Sequence, residues 1–116
     1  MLFDPIAIVA ALEQSWSLET SRQWTVQNPA AGQCNVTAIV VQELFGGDIL
    51  KTPTPGGDHF YNVIDGKRYD FTASQFEQPI AYHDVPSDRR EAEGRGREAE
   101  VAALLQALRR NGAVSC

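Results

Sequence analysis

The chain has 116 residues and a formal net charge of −5, and its 43% of hydrophobic residues is ordinary for a globular protein. This length predicts one domain spanning residues 1–116. Five Phe, three Tyr and two Trp argue against extensive disorder. We expect no nucleic-acid partner, because phosphate binding needs concentrated positive charge and no Lys/Arg cluster is interleaved with aromatic residues.

The N-terminal residues lack the features of a membrane span or a signal peptide. The apolar run over residues 6–12 is too short to cross a bilayer, and Asp4 precedes it where a signal peptide would be basic. We therefore expect a cytoplasmic protein with no membrane partner. In a reducing compartment the terminal Cys116 is a poor disulfide partner, so Cys34 is expected to be a free thiol.

The first third of the chain predicts one helix followed by a long ordered loop. Asp4 can cap a helix and Pro5 suits its first position, and the apolar stripe after them ends near Trp16. Residues 17–32 are rich in Ser, Thr, Gln, Asn and Pro. We expect an ordered loop there, anchored by Trp24, with one short helical turn.

The strongest helical segment runs from about Cys34 to Phe45. Its apolar residues cover most of its circumference, which predicts a buried central helix. Gly46-Gly47 then ends it, since glycine readily adopts the left-handed conformation found at helix ends. The apolar residues are Val36, Ile39, Val40, Val41, Leu44 and Phe45.

The middle of the chain predicts antiparallel strands. Residues 59–64 and 67–72 favour β-structure and are separated by Asp65-Gly66, a strong two-residue turn signal. A short strand over residues 49–52 precedes this hairpin, and an edge strand around residues 80–82 comes after it. An exposed edge strand could support a dimer, although the sequence leaves the oligomeric state open.

The C-terminal part predicts one weak and one strong helix. Pro86-Ser87-Asp88 is typical of a helix start, but Gly94 and Gly96 weaken this first helix by roughly 1 kcal/mol each relative to Ala. A firmer helix spans residues 97–110 and ends at Asn111-Gly112. We expect it to pack through Val101, Leu104, Leu105 and Leu108.

Cys34 is the candidate nucleophile. At the start of a helix its sulfur lies beside unpaired backbone N–H groups and the positive end of the helix dipole, which favours thiolate over thiol. The same N–H groups could stabilise an oxyanion formed when sulfur attacks a carbonyl. The alternative is that Cys34 is a small buried core residue.

The hairpin supplies the other two candidate residues. A two-residue turn pairs Ile64 with Lys67, and continuing this register makes His59 and Asp70 diagonal neighbours on one face. A carboxylate there can fix the imidazole tautomer and stabilise its cation, leaving the other ring nitrogen for a thiolate. The alternative is a polar His59 at a strand end and a surface Asp70 paired with Arg68.

Short motifs between residues 15 and 76 carry a resemblance to a known family. They are Ser15-Trp16-Ser17, Thr20-Ser21, Asn28-Pro29-Ala30, Gly32-Gln33-Cys34, Val36-Thr37-Ala38, Val40-Val41-Gln42, Phe45-Gly46-Gly47, His59-Phe60-Tyr61-Asn62, Asp70-Phe71-Thr72 and Gln75-Phe76. In these motifs the chain resembles the YunG family of small bacterial proteins. The order Cys, His, Asp also resembles that of papain-like and transglutaminase-like cysteine enzymes.

The papain-like resemblance implies an α+β fold in which a buried N-terminal Cys helix packs on a small antiparallel sheet, with a C-terminal helix. It also implies an oxyanion donor upstream of the nucleophile. The matching position, six residues before Cys34, is occupied by Asn28 rather than Gln. Gln33 is the competing candidate, and the alternatives are a turn residue and a helix cap, respectively.

Three further side chains carry weaker hypotheses. Trp16 and Trp24 are candidate substrate-binding aromatics, or else core residues. A zinc site built from Cys34, His59, Asp70 and His83 is disfavoured, because paired Cys-x-x-Cys or His-x-x-x-His spacing is missing. We therefore expect no metal.

Two functions from different classes remain. The leading hypothesis is a cysteine acyl-transfer enzyme, an amidase, peptidase or transglutaminase-like amide-forming enzyme, in which Cys34, His59 and Asp70 form the catalytic triad. Its substrate would be a small molecule or a short peptide, because so short a chain has little room for substrate loops, and it needs no cofactor. The alternative is a non-catalytic binding or accessory module on the same scaffold.

Overall fold

The computed structural model describes residues 3–111, so the predictions for Gly112 and Cys116 lie outside the described residues. Over these residues, four α-helices, one 3-10 helix (Ala73–Gln75) and four strands make an α+β fold. In chain order the α-helices and strands are α1 (Pro5–Ser15), α2 (Cys34–Phe45), β1 (Asp48–Thr54), β2 (Gly57–Ile64), β3 (Lys67–Tyr69), β4 (Val85–Ser87), α3 (Arg89–Glu93) and α4 (Glu98–Arg110).

Local chemistry sets the first helix and the loop after it, as predicted. The Asp4 side chain accepts hydrogen bonds from the backbone N–H groups of Ile6 and Ala7, so it caps α1. In the loop after α1, the backbone N–H of Ser21 donates to the carbonyl of Ser17 over 3.1 Å, which closes one helical turn.

Helix α2 has the predicted bounds and lies at the centre of the molecule. It packs on β2, α3 and α4. On the sheet side, the buried Asn62 of β2 donates a 3.0 Å hydrogen bond from Nδ2 to the carbonyl of Ala38. The buried residues of α2 are Cys34, Val36, Thr37, Ala38, Ile39, Val40 and Val41.

The sheet is antiparallel with strand order β3-β2-β1-β4. As predicted, Asp65-Gly66 forms the tight turn, and Ile64 pairs with Lys67. The strand predicted over residues 49–52 is longer, and it forms a second hairpin with β2 through the turn at residues 55–56.

Two strand predictions are wrong. The strand predicted over residues 67–72 ends at Tyr69, because Asp70 Oδ1 accepts the backbone N–H of Thr72 over 3.2 Å and turns the chain out of the sheet. No strand forms at residues 80–82. Side-chain bonds hold that segment instead, since the Thr52 hydroxyl donates to the Ala81 carbonyl and accepts the His83 N–H.

The C-terminal helices form, but their predicted starts are early. Pro86 and Ser87 lie in β4, so that α3 begins only after Asp88, and α4 begins at Glu98. The Asp88 carboxylate accepts the backbone N–H of Glu91 and caps α3, which ends at Gly94 with φ +57°. Helix α4 buries Val101, Leu104, Ala107 and Leu108, while Leu105 is only partly buried. Within residues 3–111, no helix is long and apolar enough to span a membrane.

A comparison of Gly46 with Gly47 distinguishes the cost of a positive-φ backbone from the cost of a steric clash. Gly46 and Gly47 have φ values of +79° and +78°, but a Cβ at Gly46 would meet nothing within 4 Å, whereas one at Gly47 would lie 2.3 Å from the Val63 carbonyl oxygen. Because Gly46 has ψ −156°, a conformation that is essentially restricted to glycine, we expect Gly46→Ala to lower the free energy of unfolding by about 1–3 kcal/mol. Gly47→Ala should cost at least about 2 kcal/mol more, because the backbone must move.

Denaturant unfolding of both variants beside wild type measures this difference. Equal losses in the two variants would show that the close approach of Gly47 to β2 is absent in solution.

Candidate active site

A tight turn places Cys34 at the N-terminus of α2. The backbone N–H of Gln33 donates to the Ala30 carbonyl over 3.1 Å, and Gly32 between them has φ +70°. A Cβ on Gly32 would lie 2.5 Å from the Ser21 Oγ, so only glycine fits without a shift. Cys34, two residues after Gly32, has a buried, free thiol and lies at the positive end of the helix dipole.

The structure brings His59 and Asp70 into direct contact. His59 lies on β2, and Asp70 comes directly after β3. The His59 Nε2 is 2.7 Å from the Asp70 Oδ2, and the two side chains are only 2% and 5% exposed. The alternative pairing of Asp70 with Arg68 is wrong, because Arg68 binds Asp84.

Asp70 has other donors besides the imidazole. The Tyr82 hydroxyl donates to the same Oδ2 over 2.7 Å, while the Thr72 backbone N–H donates to Oδ1 over 3.2 Å. Burial raises the pKa of the Asp70 carboxyl, but bonds from His59, Tyr82 and Thr72 outweigh burial and hold this pKa below its ordinary value. Asp70 is therefore an ionised buried carboxylate with four donor atoms, two of which belong to Thr72.

His59 is held as a cation at neutral pH. Burial alone would lower the pKa of its imidazole, but hydrogen bonds and Coulombic attraction from Asp70 and Cys34 together raise it to about 9. Because Nε2 faces Asp70, Nδ1 is the ring nitrogen left for the Cys34 sulfur. The arrangement can therefore hold an imidazolium between the Asp70 carboxylate and the Cys34 sulfur.

Cys34 and His59 line the same cavity, which has a volume of about 710 Å³. Its walls include the tip of the β1–β2 hairpin and the apolar side chains of Phe76 and Ile80. The Phe76 ring also packs edge-on against the His59 ring, with 4.8 Å between centroids. A small molecule entering this cavity would meet the sulfur and the imidazole together.

Asn35 and Tyr82 belong to the site but were missed by sequence reasoning. Asn35 Oδ1 accepts a 3.3 Å hydrogen bond from Cys34 Sγ, and its Nδ2 donates to the Ala92 carbonyl at the end of α3 over 2.8 Å. Tyr82 lies in the segment where a strand was predicted. Only the position of Asn35 beside the cysteine could have marked it, and no local pattern marks Tyr82.

The two predicted oxyanion donors lie away from the cavity lining. Asn28 lines a different, smaller pocket, and its Nδ2 donates to the Gln75 carbonyl over 3.3 Å. Gln33 is fully buried, and its Oε1 accepts a 2.8 Å bond from the Thr20 hydroxyl. Its Nε2 has no hydrogen-bond partner among residues 3–111. Gln33 makes no side-chain cap of α2.

The predicted substrate-binding aromatics also lie outside the cavity lining. The indole Nε1 of Trp16 donates to the Thr37 hydroxyl over 2.9 Å in the core. Trp24 is partly buried and packs against the same core. His83 is exposed, and in the part of the chain that the structure describes no three His, Cys, Asp or Glu side chains could hold a metal ion.

The Tyr82 hydroxyl weakens the electrostatic effect of the Asp70 carboxylate on His59, because it donates to the oxygen that contacts the imidazole. We expect Tyr82→Phe to raise the pKa of His59 by roughly 0.5–1 unit, because Oδ2 then has one donor fewer and its charge acts more fully on the imidazole. An NMR titration of the imidazole ring measures this shift.

Tyr61→Phe is the matched control, since its hydroxyl contacts Asp84 over 2.9 Å and does not contact Asp70. The account of Tyr82 would be contradicted if both variants left the pKa of His59 unchanged or shifted it equally.

Comparisons with known proteins identify the family to which this chain belongs. The sequence model described as "YunG protein" matches residues 4–112. A Bacillus subtilis (strain 168) protein named "Uncharacterized protein YunG" is 47% identical over 100 residues, covering 86% of this chain and 87% of that protein. No solved structure gives a significant match. On the extent of these two matches, the chain belongs to the YunG family.

Proposed function

We propose that this protein is a cysteine-dependent acyl-transfer enzyme on a papain-like scaffold. The observation that carries the proposal is the buried His59–Asp70 pair, 2.7 Å apart, beside a free cysteine that lines the same cavity as the imidazole. Desolvation of two ionisable groups opposes folding unless they are paired. Such a pair next to a thiol is typical of an activated cysteine nucleophile.

In the proposed first step, Cys34 Sγ attacks the carbonyl carbon of an amide, ester or thioester. The imidazolium of His59 donates its Nδ1 proton to the leaving group, and the carbonyl reforms as a thioester on Cys34. Asp70 keeps the ring oriented and stabilises its charge. The backbone N–H of Cys34 at the head of α2 is the proposed oxyanion donor.

In the second step, neutral His59 takes a proton from water or an amine, which attacks the thioester. The acyl group leaves as an acid or an amide, and Cys34 returns as a thiolate. No cofactor takes part in either step.

Asn28 is not proposed as an oxyanion donor, because its amide nitrogen donates a hydrogen bond to the Gln75 carbonyl and it lines another pocket.

The size of the cavity supports a small-molecule or short-peptide substrate. A volume of about 710 Å³ lies within the range of small-ligand sites, roughly 300–1,000 Å³. The papain-like scaffold is supported by the arrangement of the three residues, with the cysteine opening a central helix and the histidine and aspartate presented by antiparallel strands.

A non-catalytic binding module is the second candidate, and one observation favours it. The Cys34 sulfur is placed as a donor to Asn35 Oδ1 at 3.3 Å, which is a contact of a protonated thiol. A resting enzyme would instead hold a thiolate against His59. The two candidates therefore differ in the protonation state of one sulfur atom, and its reactivity distinguishes them.

Alkylation by iodoacetamide tests this reactivity. In a Cys116→Ser background Cys34 is the sole thiol, and we expect rapid alkylation that persists down to about pH 6. His59→Gln should slow the reaction at pH 6 by about tenfold or more, because the neighbouring cation is lost. The rate is measured by mass spectrometry between pH 5 and 9.

His83→Gln is the matched control, since it replaces the other, exposed histidine and should leave the rate unchanged. A rate that follows an ordinary thiol pH profile in wild type and in both variants would support the binding module.

The acyl-transfer step is tested with p-nitrophenyl acetate, a generic activated ester. We expect a burst of about one p-nitrophenol per chain as Cys34 is acylated, followed by slower turnover. Cys34→Ala should abolish the burst, while His83→Gln should keep it. Wild-type protein that alkylates quickly but gives no burst would contradict the acyl-transfer proposal.

A further inference from the structure

Among the residues that the structure describes, the cavity lining includes one cation, Arg97, that has no acidic partner. Arg97 is partly buried there, and within residues 3–111 no carboxylate lies within ion-pair distance of its guanidinium. Its one hydrogen bond among these residues runs from Nη1 to the Glu93 carbonyl, over 3.0 Å. A guanidinium has five N–H donors, so most of its capacity remains unused.

The two carboxylates that line the cavity share one cation. Asp58 and Glu91 line it, and both bind Lys51 Nζ, at 3.4 and 2.6 Å. Glu91 also accepts a 2.6 Å bond from the Ser87 hydroxyl. Both acids therefore pair with Lys51 and neither pairs with Arg97, so that, as far as residues 3–111 are concerned, the guanidinium can bind an entering anion.

A local turn fixes the Arg97 side chain. Gly94 ends α3 with φ +57°, and a Cβ there would lie 2.8 Å from Arg97 Nη1. The guanidinium thus folds back over the turn and binds the carbonyl of Glu93, the last residue of α3. This anchoring limits the rotamer freedom that a ligand would otherwise have to remove.

The same helix end connects Arg97 to the nucleophile. Asn35 donates to the Ala92 carbonyl, and Arg97 donates to the next carbonyl, that of Glu93. Asn35 also touches the Cys34 sulfur at 3.3 Å. Cys34 and Arg97 are therefore joined through one asparagine and two consecutive carbonyls, and both line the same cavity.

We propose that Arg97 determines specificity by binding a carboxylate on the acyl substrate, so that the substrate class is a small acyl compound with an anionic group away from the reacting carbonyl. This inference rests on the proposed acyl-transfer function for its chemistry. Arg97 takes no part in bond making, and its guanidinium pairs with the carboxylate in bidentate geometry. Phe76 and Ile80 would cover the uncharged part of the molecule.

The test uses two reagents that differ only in charge. N-iodoacetylglycine and its neutral glycinamide analogue present the same electrophile to Cys34, one with a terminal carboxylate and one with a carboxamide. In the Cys116→Ser background at about 0.15 M salt, long-range attraction is largely screened. We expect the acid to alkylate wild type about fivefold or more faster than the amide.

Arg97→Gln should reduce this acid-to-amide ratio about fivefold while changing the amide rate less than twofold. Arg95→Gln is the matched control, because Arg95 is exposed, lies outside the cavity lining and carries the same charge. Arg97→Lys keeps the charge and should retain part of the ratio. An unchanged ratio in Arg97→Gln, or a wild-type ratio at or below one, would overturn the proposal.

The acid-to-amide rate ratio tests the role of Arg97 independently of the acyl-transfer proposal. A binding module would alkylate slowly with both reagents, yet the ratio of the two rates would still report on Arg97. If Cys34 alkylates quickly but the ratio is the same in wild type and Arg97→Gln, the acyl-transfer proposal stands and the carboxylate specificity is contradicted.

Discussion

The hydrogen bond between His59 Nε2 and Asp70 Oδ2 is the interaction on which the rest of the site depends. Both groups are almost fully buried, and burial disfavours the charge on each. Neither could remain charged alone, because an unpaired charge in the core is strongly destabilising. The tight β2–β3 turn, the early end of β3 and the Tyr82 hydroxyl all keep the carboxylate at the imidazole.

The second constraint is the position of α2 against the sheet. Asn62 binds the Ala38 carbonyl from β2, the strand that also carries His59. Asn35 binds the Ala92 carbonyl from the first turn of α2 and so connects the cysteine to α3. These bonds thus attach the strand that carries His59, and the end of α3 that Arg97 contacts, to the helix that carries the sulfur. A shift of α2 would change the reactive pair and the proposed specificity together.

Local patterns predicted the parts of the structure that local chemistry decides. The bounds of α2, the Asp4 cap and the Asp65-Gly66 turn result from residue types and their spacing. The prediction that His59 and Asp70 meet is confirmed as a contact, although it assumed a longer β3. The segment from residue 80 to 84 could not be predicted, because contacts with distant residues such as Thr52 hold it. The places of Asn28 and Arg97 likewise depend on tertiary packing.

The most direct test of the central claim is the pKa of His59, measured by NMR in wild type and in Cys34→Ala. The account predicts a value of about 9 in wild type, because Asp70 and Cys34 together outweigh burial, and a lower value once the sulfur is removed. A value near the ordinary one of about 6.5, unchanged in Cys34→Ala, would contradict the account. In that case the sulfur and the imidazole would not form a pair in solution.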